Sequence, residues 1–480
     1  VATLDTSTDP QVGFRPSGPL GPDPLGAYRG EFNVRHAAHL LRRAGFGGTP
    51  DEIARVAQLG TDAAVNALLH PSGDDVAFTD YPPTDALYDP KTRNATAMNW
   101  WLDRMLRTRQ PLREKVALFW HGRFATALSK VDAVYMVEQI DLFRQEGLGR
   151  FPVLLSAVTR DPAMLIWLDN RYNAKAHPNE NYAREVMELF TLGLGNYSET
   201  DVREAARAFT GWTLDKTGHA VFDPKRHDDG SKTLLGSTGT FGTDDVIALI
   251  VSQPIHQRFL ARKLLEFFVY SDPEPELTEA VAQVYALSGF DIAKTLGTVF
   301  RSNVFFSPRA YRAVPKAPIE FAIGTLRYMG VQTVPPNLAY QLQRMGQQPL
   351  NPPTVKGWDG GPTWINTSTL LARFNFVNGL ITQTAPGKNG VAAVPAPNVS
   401  PDDIVRADGM NAPRIAGTLI SGVVQDDVTS DVRATLVDYL DSRTPMATAQ
   451  NPMPLGPENY QDKIRGALAL TLNLPVNQLN

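Results

Sequence analysis

From Asn33 onward, apolar residues recur at helical spacing almost without a break, and that regularity excludes most architectures for this chain. Start and stop signals punctuate it. Thr49-Pro50-Asp51-Glu52 is a capping box with proline at the first helical position; the helix it opens runs through Ile53, Val56 and Leu59 to a stop at Gly60, and Thr61 opens the next. Further helical patterns cover 96–108, 111–121, 131–147, 150–160, 162–169, 178–192 and 199–210, then 243–251, 254–270, 276–287, 291–301, 318–329, 336–346 and 366–382. The exception is 212–242, where short Thr/Val/Phe/Leu runs alternate with Gly, Asp and Pro, the pattern of a small β-hairpin or two strands inserted between helices. The chain is therefore expected to be mainly α: a multi-helix globular protein with a small β-hairpin excursion near 212–242.

Its organisation follows from where the helical period lapses. Residues 1–32 are rich in Pro and Gly and read as an extended N-terminal tail or a strap over the surface. The main helical domain is expected over 33–383, with a long polar loop at 71–91 and a Pro/Gly loop at 347–364. An Ala/Pro/Gly/Val linker covers 384–401, and 402–480 reads as a C-terminal helical unit packed on the main domain.

Composition narrows the function classes. Lys and Arg total 46 against 50 Asp and Glu, a net charge of -4 that gives no electrostatic case for nucleic acid or an anionic membrane. No apolar run approaches the 18 or so residues of a membrane span. With no cysteine, disulfides, thiolate metal sites and a cysteine nucleophile are excluded together. There is no HExxH, no GxSxG, no phosphate-binding loop of the GxxxxGK type and no GxGxxG.

The densest chemistry lies within 169–212. On the 178–192 helix, His177, Asn181, Arg184, Glu185 and Glu188 fall within an arc of about 100° on the helical wheel, opposite Tyr182, Ala183, Val186, Met187, Leu189 and Phe190. Pro178 fits the first turn, with His177 near the N-cap. The plain reading is an amphipathic helix with i,i+4 pairs, Glu180 with Arg184 and Arg184 with Glu188. The chemical reading is a polar network in which Arg184 keeps one carboxylate ionised while burial raises another, as an acid/base pair requires. Asp169 closes the preceding helix and is either a turn residue or a further carboxylate across a cleft.

Other candidates are more dispersed. His121, in FWHGRFAT, is a helix-end histidine or a cleft residue beside an aromatic wall. GWDGGPTWINTSTLLARFNF combines Trp358, Trp364, Asn366 and Arg373; its indoles either stack on sugar rings or anchor a long loop. Trp212 closes the 169–212 stretch. His227, in HDDG, is a weak metal motif because no second histidine stands at ligand spacing.

Long blocks carry a resemblance. HAAHLLRRAGFGGTPDE (36–52), EKVALFWHGRFAT (114–126), DPAMLIWLDN (161–170), NENYAREVMELFTLGLGNYSETDVREAARAFTGW (179–212), HDDGSKTLLG (227–236) and PPTVKGWDGGPTWINTSTLLARFNF (352–376) resemble, in order, the bacterial family called domain of unknown function 1800. The resemblance covers roughly 33–380 and the C-terminal helices. It implies an exported or periplasmic protein, a mature chain whose signal peptide precedes this numbering. It also implies a co-encoded exported protein of sulfatase- or phosphatase-like appearance as a partner. It implies no residue role.

The function expected from these residues is a glycan-active hydrolase, needing no cofactor or metal, with polysaccharide or oligosaccharide as partner. Glu180, Glu185, Glu188 and Asp169 would supply the carboxylate pair, tuned by Arg184 and His177. Asn181, His121, Trp212, Trp358, Trp364, Asn366 and Arg373 would line the substrate. One alternative is a metal-dependent enzyme, hydrolytic or oxidative, with ligands from His177, Glu180, Asp169, His121 or His227. Another is a non-catalytic scaffold or assembly partner, in which the polar stripe fixes helix register.

Overall fold

The computed structural model describes residues 20–73, 82, 84–382, 404–441, 455–456 and 460–480; the 384–401 linker and residues 1–19 of the tail lie outside them. Helices dominate, with two small antiparallel two-stranded sheets, both inside 212–242. β1 (Trp212–Leu214) pairs with β2 (Ala220–Phe222), Thr213 opposite Val221; β3 (Lys232–Leu234) pairs with β4 (Ser237–Gly239), Thr233 opposite Thr238.

Local signals account for the boundaries. Thr49 and Glu52 close a reciprocal capping box at the start of Pro50–Leu69, and Gly60 breaks that segment with φ 74° and ψ 169°, outside the helical region. Pro50, Pro111, Pro162, Pro254, Pro275 and Pro318 each stand at the first position of a helix, where the missing N–H costs nothing. The polar loop expected at 71–91 contains a short helix, Thr84–Tyr88.

Pro111–Arg123 is the central helix. Leu112, Val116, Ala117, Leu118, Phe119 and Trp120 are all buried and Arg113 alone is exposed, so the helix runs through the core for most of its length. Its aromatic end stacks into the core: Trp120 on Phe124 at 5.5 Å, and Phe124 edge-on to Phe190 at 5.1 Å. Two charges buried on this helix are paired. Glu114 accepts from Arg144 Nε (2.5 Å) and Trp101 Nε1 (3.2 Å), and Lys115 is bonded to Glu320 on helix Pro318–Tyr328. Burial pushes Glu114 up against the pull of Arg144, and pushes Lys115 down against the pull of Glu320.

One apolar core runs from Leu40 to Leu472 and includes the C-terminal helices Ala412–Val424, Ser430–Asp441 and Tyr460–Leu472. Arg312 clips those helices to the rest: Nε bonds Asp427 (2.7 Å), Nη2 the Val424 carbonyl (3.0 Å) and Nη1 the Val476 carbonyl (2.9 Å). Residues 478–480 run antiparallel to 314–316, with Lys316 N donating to Gln478 O and Asn480 N to Val314 O, both at 2.8 Å. Residues 20–32 form a strap: Tyr28 N donates to Arg301 O, while Asn303 N and Val304 N donate to Gly26 O and Pro24 O.

Candidate functional site

The central helix ends at Arg123, and beyond it opens a cleft of about 920 Å³. Phe119, Gly122 and Arg123 form one side, and Arg262, Lys263, Glu266 and Phe267 of helix Pro254–Phe268 another. Val314, Pro315 and Ala317, and the loop from Lys356 to Trp364, continue the lining. That loop is pinned to the helix end. A Cβ on Gly357 would lie 2.2 Å from the Gly122 carbonyl oxygen, and φ at Gly357 is 87°, so this position requires glycine.

Trp358, half-buried, and Trp364, only 8% exposed, both line the cleft, and neither indole N–H has a hydrogen-bond partner among the described residues. Phe267 packs edge-on to Phe119 at 5.2 Å and continues the aromatic wall. His121 stands behind it, fully buried, edge-on to Trp358 (5.6 Å) and Trp101 (5.3 Å); neither ring nitrogen is bonded, and burial drops its pKa to about 3, so it is a neutral ring supporting the wall. Asn366 caps helix Thr367–Thr382 through the N–H groups of Ser368 and Thr369. Arg373 is fully buried; it donates to Lys316 O (2.7 Å) and Gln478 Oε1 (3.2 Å), bracing the cleft wall from behind.

Charges line the floor. Arg262 bonds Glu266 and Asp272, both at 2.9 Å, and Lys263 bonds Glu266 at 2.8 Å. Burial pushes Glu266 up, but Lys263 and Arg262 outweigh it and hold the carboxyl below its ordinary range. Lys356 pairs with Asp359. Arg43 donates to the Phe268 and Phe267 carbonyls at 3.0 and 2.6 Å. Arg123 has neither hydrogen bond nor ion pair among the described residues, and burial lowers its pKa against the pull of Glu266.

The residues singled out in 169–212 stand elsewhere; none of them lines this cleft. The helix there begins at Glu180 with Asn179 as N-cap, not at Pro178, and His177 is an exposed residue before the cap, bonded through its backbone to Ala174. Asn179 takes the cap because its side chain reaches Asn181 N, at 3.0 Å. Arg184 bonds Glu180 (3.3 Å) and, in place of Glu188, Glu199 (2.7 Å). Glu188 accepts from Tyr197 Oη at 2.6 Å. Glu185 is half-buried and raised, by burial and then by Glu188. Asn181 is exposed. The last turn widens into a π-helix over Val186–Thr191, a feature often found at functional sites. Asp169, with φ 57°, bonds Lys130 at 2.9 Å. Trp212 donates to Thr243 Oγ1 (3.1 Å) beneath the Arg160 guanidinium. His227 Nδ1 lies 2.9 Å from Thr210 O. Among the described residues, no group of three or more His, Asp or Glu side chains is placed to hold a metal ion, and no helix is long and apolar enough to cross a membrane.

A family model, described as a protein of unknown function (DUF1800), matches residues 39–479. The chain belongs to this family. No curated protein and no solved structure matches it. In the sequence of this DUF1800 protein the two tryptophans and His121 stand out as candidates, whereas Arg123, Arg43, Lys263 and Glu266 do not. The run FWHGR carried a usable signal. It places an arginine just after an unbroken apolar stretch, Val116 to Trp120, at the point where the helix stops.

Proposed function

We propose that this DUF1800 protein takes a glycan into the cleft at the end of its central helix, and that it does so outside the cytoplasm, as the family resemblance implies. One observation carries the reading: Trp358 and Trp364 line a large cleft with their N–H groups unspent. An indole offers a flat apolar face to a sugar ring and a donor to its hydroxyls. Oligosaccharide binding to the purified protein, measured by calorimetry over a panel of neutral and acidic chains, tests it. Trp358→Ala is expected to weaken binding about tenfold or more, about 1.4 kcal/mol, and Trp358→Phe to retain most of it. Unchanged affinity in Trp358→Ala, with folding intact, refutes the reading.

A second reading has its own support. Glu185, raised by burial, stands next to Glu188 on the π-widened helix end, so two carboxyls in different environments share one face. In this reading the pair hydrolyses glycan, Glu185 as the acid and Glu188 as its partner, with Glu180, Asp169, Arg184 and His177 around them. It requires that hydrolysis of the same panel be detected and be lost in Glu185→Gln.

A further inference from the structure

We infer that the cleft ligand carries an anionic group, a carboxylate or an oxyanion ester, seated on Arg123; this rests on the glycan reading above and specifies the class of glycan.

Charge bookkeeping across the cleft leads there. Arg262 and Lys263 share Glu266, with Asp272 also on Arg262, and Lys356 has Asp359. Glu320, on the cleft wall, is committed to Lys115, to the Ala317 N–H (2.8 Å) and to Asn480 Nδ2 (2.8 Å). Arg43 is bonded only to backbone carbonyls. Arg123 is bonded to nothing among the described residues. The lining thus holds positive charge that its own carboxylates do not neutralise, concentrated where the aromatic wall meets the helix end.

Arg123 is half-buried, and even partial removal of an unpaired cation from water costs free energy that a partner would return. The helix C-terminus gives some return, of order 0.3–1 kcal/mol for a favourably placed charge. Arg123, however, makes no bond to a terminal carbonyl: the Trp120 carbonyl is taken by the Phe124 N–H at 2.7 Å. A planar guanidinium with its donors free matches a carboxylate or oxyanion in a two-point fork. With the half-buried indole of Trp358 lining the same cleft, one ligand can stack its ring there and place its acid group on Arg123.

Calorimetry at low ionic strength on four probes tests this: a neutral β-glucan oligomer, an oligouronate of equal length, a sulfated oligosaccharide of equal length, and inorganic phosphate alone. At least one acidic oligomer is expected to bind tenfold or more tightly than the neutral one. Arg123→Gln is expected to erase that difference, and Arg123→Lys to restore part of it, since lysine keeps the charge but not the fork. The two ester and carboxylate arms distinguish the source of the anion. Equal affinity for neutral and acidic chains overturns the inference and leaves the glycan reading standing. An acid preference that survives in folded Arg123→Gln overturns the role of Arg123. Binding of phosphate alone, lost in Arg123→Gln, with no oligosaccharide bound overturns the glycan reading and retains the anion site. Binding of none of the four overturns both.

Discussion

Asp161→Asn is expected to make the protein more stable at neutral pH, although it removes a charge that is hydrogen-bonded. Asp161 is 4% exposed and caps helix Pro162–Trp167; its Oδ2 accepts from Met164 N (2.9 Å) and Gln139 Nε2 (2.6 Å), and Gln139 Oε1 in turn accepts from Thr126 Oγ1 (2.5 Å). Burial pushes the carboxyl from 3.8 to about 7, and the Met164 and Gln139 donors only partly oppose it. A folded-state pKa above the unfolded one means that the stabilising contribution is complete below pH 3.8 and is lost as pH rises to about 7. Three pH units at about 1.4 kcal/mol each set an upper bound of about 4 kcal/mol on that loss. Asparagine cannot ionise, and its amide oxygen can take both bonds now made to Oδ2. The difference in urea-denaturation free energy between variant and parent is therefore expected to be small near pH 4, to grow in favour of the variant through pH 5–7 and to level off above. Other titrating groups cancel in that difference. A difference that stays constant from pH 5 to pH 8, or that favours the parent at pH 8, refutes the reasoning.

Two further outcomes are expected. Gly357→Ala would place a methyl group 2.2 Å from the Gly122 carbonyl at a φ of 87°, so the loop must shift; a loss of roughly 1–3 kcal/mol and faster proteolysis within 356–364 should follow, and stability equal to the parent would show that the loop is not pinned there. If the helix Glu180–Glu185 and its π-helical end carry glycan hydrolysis, Glu185→Gln should lower the rate by about 10²–10⁴-fold and remove the falling limb of the pH profile as Glu185, raised by burial, ionises; a rate unchanged in the variant ends that reading.

The helices were largely legible because each boundary is written locally. Thr49 with Glu52, Gly60, and prolines at first positions act within one turn, and the same signals appear in the structure. A β excursion was legible because 212–242 breaks the helical period, though not its division into two hairpins. The cleft was legible only in part. Trp358 and Trp364 stood out by residue type, but their meeting with Phe119, Arg123 and Phe267 depends on contacts across about 90 residues of sequence for Phe267 and more than 200 for the other two, and no periodicity encodes those. The carboxylate stripe near Glu185 illustrates the opposite case. The wheel separated the polar arc from the apolar side that packs inward, but Arg184 turned to Glu199, a partner on the next helix that spacing within one helix does not reveal. Asn179 displaced Pro178 and His177 from the helix start for a local reason, the reach of its side chain to Asn181 N.

The antiparallel seating of 478–480 on 314–316 has a consequence for the order of assembly. Val314, Pro315 and Ala317 are one wall of the cleft, and the segments that hold them, through Arg312 to Val476 and Lys316 to Gln478, lie some 160 residues further along the chain. During vectorial synthesis the aromatic wall and the central helix are complete long before that brace exists. The wall can take its final register only when residues 476–480 have been made and have folded back. Until then the emerging polypeptide is kept from presenting a finished cleft.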